Sequence, residues 1–218
     1  MNAVRVLLIG KGAREHALAW KIAGSSLTEQ LFLWPGNAAM SPLGHYLDLP
    51  PAADFTALAA AAKRERIDLV VSGPEAPLSD GLADVLKGEG IAVFGPVKAA
   101  ARLESSKEFA KRIMQQAGIP TAAHEVVTTE AQCRERALRM LSATGGVVLK
   151  ASGLAAGKGV FVCTKADEVE EGLKHLYHTA MSAAASSVVL EEILVGRECS
   201  YFTCLGRGAP SEIGRAHV

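Results

Sequence analysis

The sequence predicts an α/β chain: an N-terminal doubly wound, mostly parallel sheet, then a second, partial α+β unit with antiparallel strands. Three observations carry that expectation. Short apolar runs alternate with helix-period segments through the first hundred residues, and the texture changes near residue 100. Beyond it, the β-branched run Val147-Val148-Leu149-Lys150 is joined to a second run, Val160-Phe161-Val162-Cys163, by a glycine-rich stretch.

In order, Val4 to Ile9 reads as a strand, Glu15 to Ala23 as a helix and Leu31 to Trp34 as a strand. Asp54 to Arg64 follows as a helix with Asp54 at its N-cap, then strand Leu69 to Ser72, helix Pro77 to Leu86 with its proline in the first turn, and strand Ile91 to Phe94. Such a series implies crossover connections, so the turns after the strands should gather on one edge: Gly10-Lys11-Gly12, Pro35-Gly36-Asn37, Gly73-Pro74-Glu75 and Gly95-Pro96. Ser105 with Glu108 three residues later offers a capping box for a helix through Gln116, stopping at Gly118 before Pro120. The domain boundary is expected near 101 to 104. After it come strand His124 to Val127, helix Glu130 to Leu141, the strand pair around the glycines, helix Asp167 to Tyr177 and strand Ser187 to Glu191.

At 218 residues and 49% hydrophobic, the chain can build one large or two modest cores. Lys plus Arg and Asp plus Glu are each 23, so no net field draws nucleic acid or anionic lipid, and neither is expected as a partner. Cys133, Cys163, Cys199 and Cys204 are scattered without a CxxC pair, as expected of reduced core residues in a cytosolic protein. Val6 to Ile9 is far too short for a signal peptide, and no segment approaches the roughly 18 apolar residues of a membrane span, so the expected location is cytoplasmic.

The strongest chemical signal is the stretch from Lys150 to Gly159. Gly153, Gly157 and Gly159 allow close approach of backbone N–H groups to a polyanion, and Lys150 and Lys158 add point charges. A Walker A loop needs four residues between its glycines and a Ser or Thr after the lysine; here three separate Gly153 from Gly157, and Gly159 follows Lys158. The expected device is a flap over ATP between two strands, with a plain glycine-rich hairpin as the alternative. Gly10-x-Gly12 invites a dinucleotide reading, but position 15 is Glu15 rather than glycine and the second strand ends in Trp34-Pro35 instead of an acid. Arg14-Glu15-His16 at a helix start suits a small phosphate, with Arg14 as a fork-shaped partner, or a tight turn with solvated side chains. Glu191 and Glu192, adjacent in an extended run, point to opposite faces and cannot form an acid/base pair. Glu198 and Lys107, each taken singly, are explicable as solvated side chains.

Together, and in this order, these pieces resemble the glycinamide ribonucleotide synthetase family of the ATP-grasp superfamily. The resemblance rests on Gly10 through Trp20, Pro35-Gly36-Asn37, Gly73 through Leu78, Phe94-Gly95-Pro96, Leu103 through Lys107, Gly118 through Thr121, Lys150 through Gly159 and Glu191 through Leu194. It implies a pre-ATP-grasp domain over residues 1–102 and a partial ATP-grasp domain over 103–210. It also implies an ATP-dependent ligation of glycine to 5-phosphoribosylamine in purine synthesis, through a glycyl phosphate and with ADP and phosphate released. By the same resemblance Lys107 and Lys150 hold ATP phosphates, and Gly153, Leu154, Ala155, Ala156, Gly157, Lys158 and Gly159 form the flap. Glu191, Glu192, Ile193 and Leu194 would line the adenine edge, and Glu198 the ribose. Gly10, Gly12, Arg14, Glu15, His16, Pro35, Gly36, Asn37, Gly73, Pro74 and Glu75 would help to bind phosphoribosylamine. No protein nucleophile is assigned, because the chemistry needs charge neutralisation and positioning above all. Another ATP-grasp enzyme, such as a carboxylase of purine synthesis, and a non-catalytic nucleotide-binding module are the alternatives.

The family usually has glycine at Ala13 and Ala39, where a methyl would matter if the position needed positive φ. Its members are also considerably longer, with Mg²⁺ (or Mn²⁺) ligands in the part beyond this chain. The chain is therefore expected to contain no metal ligands and to be an inactive fragment, with fusion to further purine-pathway domains left open. Residues 211–218 are read as a non-native tail, since Glu212 to Val218 matches what a common sequencing adapter encodes in frame.

Overall fold

The structure, a computed structural model, describes residues 3–154, 158–179 and 186–205, and the backbone of 211–217. Its first part comprises β1 (Val4–Gly10), α1 (Ala13–Ala23), β2 (Thr28–Pro35), β3 (His45–Tyr46), α2 (Phe55–Arg64), β4 (Leu69–Ser72), α3 (Ala76–Asp80), α4 (Leu82–Gly88) and β5 (Ala92–Phe94). The strands lie in the order β3-β2-β1-β4-β5, all parallel. Central β1 is covered on both faces. Leu7 and Ile9 pack with Leu58 of α2 and Leu82 and Leu86 of α4, while Val6 and Leu8 pack with Ala19 of α1 and Met40. This double burial explains why the strand is a continuous apolar run rather than an alternating one.

Asp54 caps α2 as expected, its Oδ1 accepting from Ala57 N at 2.7 Å. β2 begins at Thr28 rather than Leu31, because Thr28 and Gln30 continue the ladder to Val4 and Arg5 although their side chains are polar. The single helix expected over 77–86 is two helices: Gly81 at φ +104° turns the chain left-handed between α3 and α4.

A helix the sequence reading did not include, α5 (Lys98–Ser105), runs across the expected boundary at 101 to 104. It is followed directly by α6 (Lys107–Gln116), whose cap is Ser106, with its hydroxyl accepting from Phe109 N at 3.2 Å; Ser105 is instead the last residue of α5. Then come β6 (His124–Val127), α7 (Glu130–Thr144), β7 (Val147–Ala151), β8 (Val160–Cys163), α8 (Ala166–His178) and β9 (Val188–Glu191). These strands form the expected antiparallel sheet, ordered β6-β9-β7-β8. Val147, Leu149, Ala151, Val188 and Leu190 turn one face to Cys133 and Ala137 of α7 and Leu173 and Leu176 of α8.

β10 (Cys199–Cys204) and β11 (Ser211–His217) pair antiparallel. The backbone of 211–217, set aside as a tail in the sequence reading, is thus strand, and Val218 lies outside the described residues. Cys133 and Cys163 are buried as expected, but Cys199 is exposed and Cys204 half-buried, because they sit on a two-stranded ribbon rather than under a helical layer. Among the described residues no helix is long and apolar enough to cross a membrane.

Candidate functional site

The carboxyl edge of the parallel sheet gathers three of the four predicted turns around the end of β1, while Gly95-Pro96, after edge strand β5, lines a separate cleft with Lys87 and Phe94. Gly36 N donates to Gly10 O (3.2 Å), Gly73 N to Ile9 O (3.0 Å) and Asn37 Nδ2 to Lys11 O (2.8 Å). Glu15, only 4% exposed, fills the space these glycines leave. A Cβ at Gly10 or Gly73 would come within 2.3 Å of Glu15 Cγ, and one at Gly12 within 2.8 Å of Oε2. Glu15 Oε2 accepts from Gly12 N (2.8 Å) and Oε1 from Arg14 Nε (2.9 Å), while Arg14 Nη2 reaches Glu75 Oε2 (3.3 Å). Burial alone would push the Glu15 carboxyl up, but the bonds from Arg14 and Gly12 outweigh it and hold it below its usual value. The same Glu15 bond leads the causes that raise Arg14.

Arg14, expected as a fork for phosphate, thus already spans two carboxylates. Gly10, Glu15, Pro35 and Pro74 line a cleft of about 440 Å³, with Trp34 and Phe55 among its apolar walls. Gly12, Gly36 and Gly73 shape the turns around it, Asn37 ties two of them together, and His16 N closes the first turn of α1 on Gly12 O at 3.0 Å. Ala13 and Ala39 are not at left-handed positions, since Arg66 is the one non-glycine residue with positive φ among those described. A methyl is therefore accommodated at both.

The second site lies on the face of the antiparallel sheet opposite α7 and α8. Period-2 alternation turns Lys150 and Glu191 away from the core, and the register Lys150↔Val189 and Val148↔Glu191 makes them diagonal neighbours on adjacent strands. Lys150 Nζ donates to Glu191 Oε2 at 2.7 Å. The other carboxylate oxygen, Oε1, pairs with Lys111 Nζ at 3.3 Å. Lys111, 8% exposed, also donates to Thr121 Oγ1 (2.6 Å) and Ala122 O (3.3 Å). Lys107, one turn earlier on α6, donates from Nζ to Gly153 O at 3.5 Å. Burial first, then the repulsion of Lys150, pushes the Lys107 ammonium down against the pull of Glu104 and Glu191.

These groups open into a cleft of about 580 Å³ whose walls include Lys107, Lys111, Lys150, Glu191 and Leu194. The elements that carry these lysines are stitched together beside it. Lys107 N donates to Ser152 O (3.0 Å), Ser152 N to Ser187 O (2.9 Å), Glu108 N to Ser152 Oγ (3.2 Å) and Ser187 Oγ to Glu108 Oε2 (2.8 Å). The start of α6 and the ends of β7 and β9 are therefore held as one piece.

Of the remaining expected residues, Glu192 clasps Ala123: its N donates to Ala123 O at 3.0 Å and its Oε1 accepts from Ala123 N at 2.7 Å. Ile193 packs so close to Gly146 that a Cβ there would meet it at 2.3 Å. Glu198 is exposed. Gly159 O accepts from Ala151 N (2.8 Å), and the Lys150↔Val160 register makes the glycine stretch a connection between antiparallel strands, with Gly153, Leu154 and Lys158 on it; Ala155, Ala156 and Gly157 lie outside the described residues. Lys111 and Thr121 were missed as site residues. The available signal was the four-residue spacing of Lys107 and Lys111 on one helix, which puts both ammonium groups on one face.

With this geometry in view, two family models match the chain: the N domain of phosphoribosylglycinamide synthetase over residues 4–104 and its ATP-grasp (A) domain over 105–211. The chain belongs to the phosphoribosylglycinamide synthetase family. A phosphoribosylamine–glycine ligase of Brucella melitensis is 45% identical over 207 residues, 94% of this chain and 48% of that protein. The crystal structure of the phosphoribosylamine–glycine ligase of Thermotoga maritima superposes with a TM-score of 0.69 at 31% identity, covering 92% of this chain and 47% of that one. The biotin carboxylase domain of a Hydrogenobacter thermophilus carboxylase, solved with MgADP, ADP and bicarbonate, shares the fold at a TM-score of 0.74 and 19% identity, covering 99% of this chain and 50% of that one. The chain spans about half the length of the curated relatives it matches. The family's fold is thus the one built here: a parallel five-stranded sheet, then a partial antiparallel sheet.

Proposed function

We propose that this chain supplies the phosphoribosylamine cleft and the nucleotide-phosphate face of an ATP-dependent ligase that joins glycine to 5-phosphoribosylamine in purine synthesis. The observation that carries the reading is the Lys107, Lys150 and Glu191 cluster beside the glycine stretch, in a chain matched over residues 4–211 by two domains of the family. Division near residues 102/103 into a substrate domain and a partial ATP-grasp domain is supported by the separate parallel and antiparallel sheets on either side of α5.

In the proposed reaction the glycine carboxylate takes the terminal phosphoryl group of ATP, and the sugar amine then displaces phosphate from the acyl phosphate. Lys107 and Lys150 would bear on the charge of the ATP phosphates, and backbone N–H groups of the 153–159 stretch would cover them. The lowered ammonium of Lys107 suits this task, because an anion arriving there relieves both its desolvation and its repulsion by Lys150. Glu191 to Leu194 would meet the adenine and Glu198 the ribose. In the first cleft, Gly10, Gly12, Arg14, Glu15, His16, Asn37 and Glu75 would receive the phosphoribosylamine.

A divalent metal, Mg²⁺ or Mn²⁺, belongs to this reaction and would offset phosphate charge. Among the described residues no group of three or more His, Cys, Asp or Glu is arranged to hold one, so no step here is routed through it. A soluble, cytoplasmic setting with small-molecule partners follows from the same reading. The test is calorimetric titration of the chain with ATP, compared with Lys150→Ala and Lys107→Ala. Affinity reduced about tenfold or more in each variant, together with glycine- and phosphoribosylamine-dependent ADP release by the longer protein, supports the reading. ADP release that needs a different acceptor refutes it.

A further inference from the structure

Lys111 is a buried cation that the reaction as described does not use, although it shares a carboxylate with one that it does. Glu191 is 6% exposed and divides its two oxygens between two ammonium groups: Oε2 takes Lys150 at 2.7 Å and Oε1 takes Lys111 at 3.3 Å. If Lys150 and Glu191 stood alone they would close into a neutral pair, and an anion entering the cleft would meet Lys107 as the sole uncompensated cation of this set, itself near Glu104. We propose that Lys111 is a positioning residue that spends the charge of Glu191, so that Lys150 remains electrostatically available to a polyphosphate. The inference rests on the nucleotide reading of this cleft and deepens it.

The anchoring of Lys111 supports the role. Thr121 Oγ1 at 2.6 Å and Ala122 O at 3.3 Å anchor its ammonium, so the two carboxylate oxygens are divided between a fixed cation and a more exposed one. Side-chain exposure separates the two: 10% for Lys111 against 27% for Lys150. Of the pair, Lys150 is the one free to turn toward a ligand, and Lys111 the one that stays when it does. A carboxylate left behind by Lys150 would otherwise be a buried, unpaired charge, which is costly. Both lysines line the same cleft as Lys107, so the balance of charge is set where the anion would sit.

The experiment measures binding of inorganic tripolyphosphate, ATP and adenosine to the wild-type chain, Lys111→Met, Glu191→Gln and the double variant. Lys111→Met should weaken tripolyphosphate and ATP about tenfold or more while leaving adenosine unchanged, since at an effective dielectric near 20 one unit charge about 10 Å from a single anionic charge is already worth roughly that much. Glu191→Gln should tighten tripolyphosphate, and the double variant should return to within about threefold of wild type, because the two charges removed cancel. Restoration by the double variant also excludes simple misfolding. Equal losses for all three ligands in Lys111→Met, or a double variant no better than that single one, overturn the proposal. Tripolyphosphate binding without ATP binding by the wild-type chain sinks the nucleotide reading while still reporting on Lys111, whereas binding of neither anion sinks both.

Discussion

Replacing Gly73 with alanine should unseat Glu15 and reveal how much of the first domain hangs on one buried carboxylate. Gly73 does not occupy a left-handed conformation, so the added methyl brings no backbone strain and the clash stands alone. Its Cβ would lie 2.3 Å from Glu15 Cγ and 2.5 Å from Oε1, and the side chain must leave. Lost with it is the Gly12 N–H bond to Oε2 at 2.8 Å, a bond to a charged group worth about 1.5–3 kcal/mol. The favourable placement of a carboxylate in the first turn of α1 contributes about 0.3–1 kcal/mol more. Gly73→Ala should therefore cost about 2–4 kcal/mol, which moves a urea midpoint by roughly 1–2 M at an ordinary m-value. Glu15→Ala loses the same two contributions, so the double variant should be no less stable than Glu15→Ala alone. Urea unfolding followed by circular dichroism reads all three. A Gly73→Ala midpoint indistinguishable from wild type, or single-variant costs that simply add in the double, would refute the reasoning.

Gly81→Ala, by contrast, meets nothing nearer than Lys98 Cδ at 3.7 Å, so its cost should come from φ +104° alone, about 1–2 kcal/mol by thermal melting; an unchanged melting temperature would show that the break between α3 and α4 is not held left-handed. The Glu15 carboxyl is held below its usual value of 4.5, so its contribution is complete above that pH and is lost as pH falls through the folded value; Glu15→Gln should lose less stability than wild type on acidification below about pH 4.5, and parallel acid profiles would count against this. Burial pushes Cys133 and Cys163 up to about 11, whereas Cys199 is exposed. A thiol reagent at neutral pH should label Cys199 quickly and leave Cys133 and Cys163 unreacted until denaturant is added; prompt labelling of all the cysteines would mean the second core is not packed as described.

Much of the fold was legible because its signals are local. The apolar run of β1, the Asp54 cap of α2 and the β-branched run of β7 each declare themselves within a few residues. What escaped depends on partners distant in sequence. α5 has no side-chain cap of its own; Lys98 N donates instead to Asp84 Oδ2 at 2.7 Å, a carboxylate supplied by α4. The polar start of β2 is strand only because β1 lies beside it. In the site, Lys107, Lys150 and Glu191 were singled out by family pattern and are brought together by the fold, whereas for Lys111 the spacing from Lys107 gave only a shared helix face, and its partner Glu191 came from β9. Arg14 shows the reverse: its type suggested a ligand, and its geometry gives it carboxylates.

The stitching of α6 to the ends of β7 and β9 bears on how the cleft would respond to an anion. Because Lys107 N is tied to Ser152 O and the Ser152, Ser187 and Glu108 bonds lock the neighbouring strand ends, the backbone positions that carry Lys107 and Lys150 keep their spacing when the cleft is empty. The lowered ammonium of Lys107, caused first by burial and further by Lys150, is thus a feature of the empty cleft and not a cost met at the moment of binding. Preorganisation of this kind sets stability against readiness: Lys107→Met, which removes a partly buried cation without breaking the two Glu191 pairs, should make the chain harder to melt as it makes it worse at holding a polyphosphate.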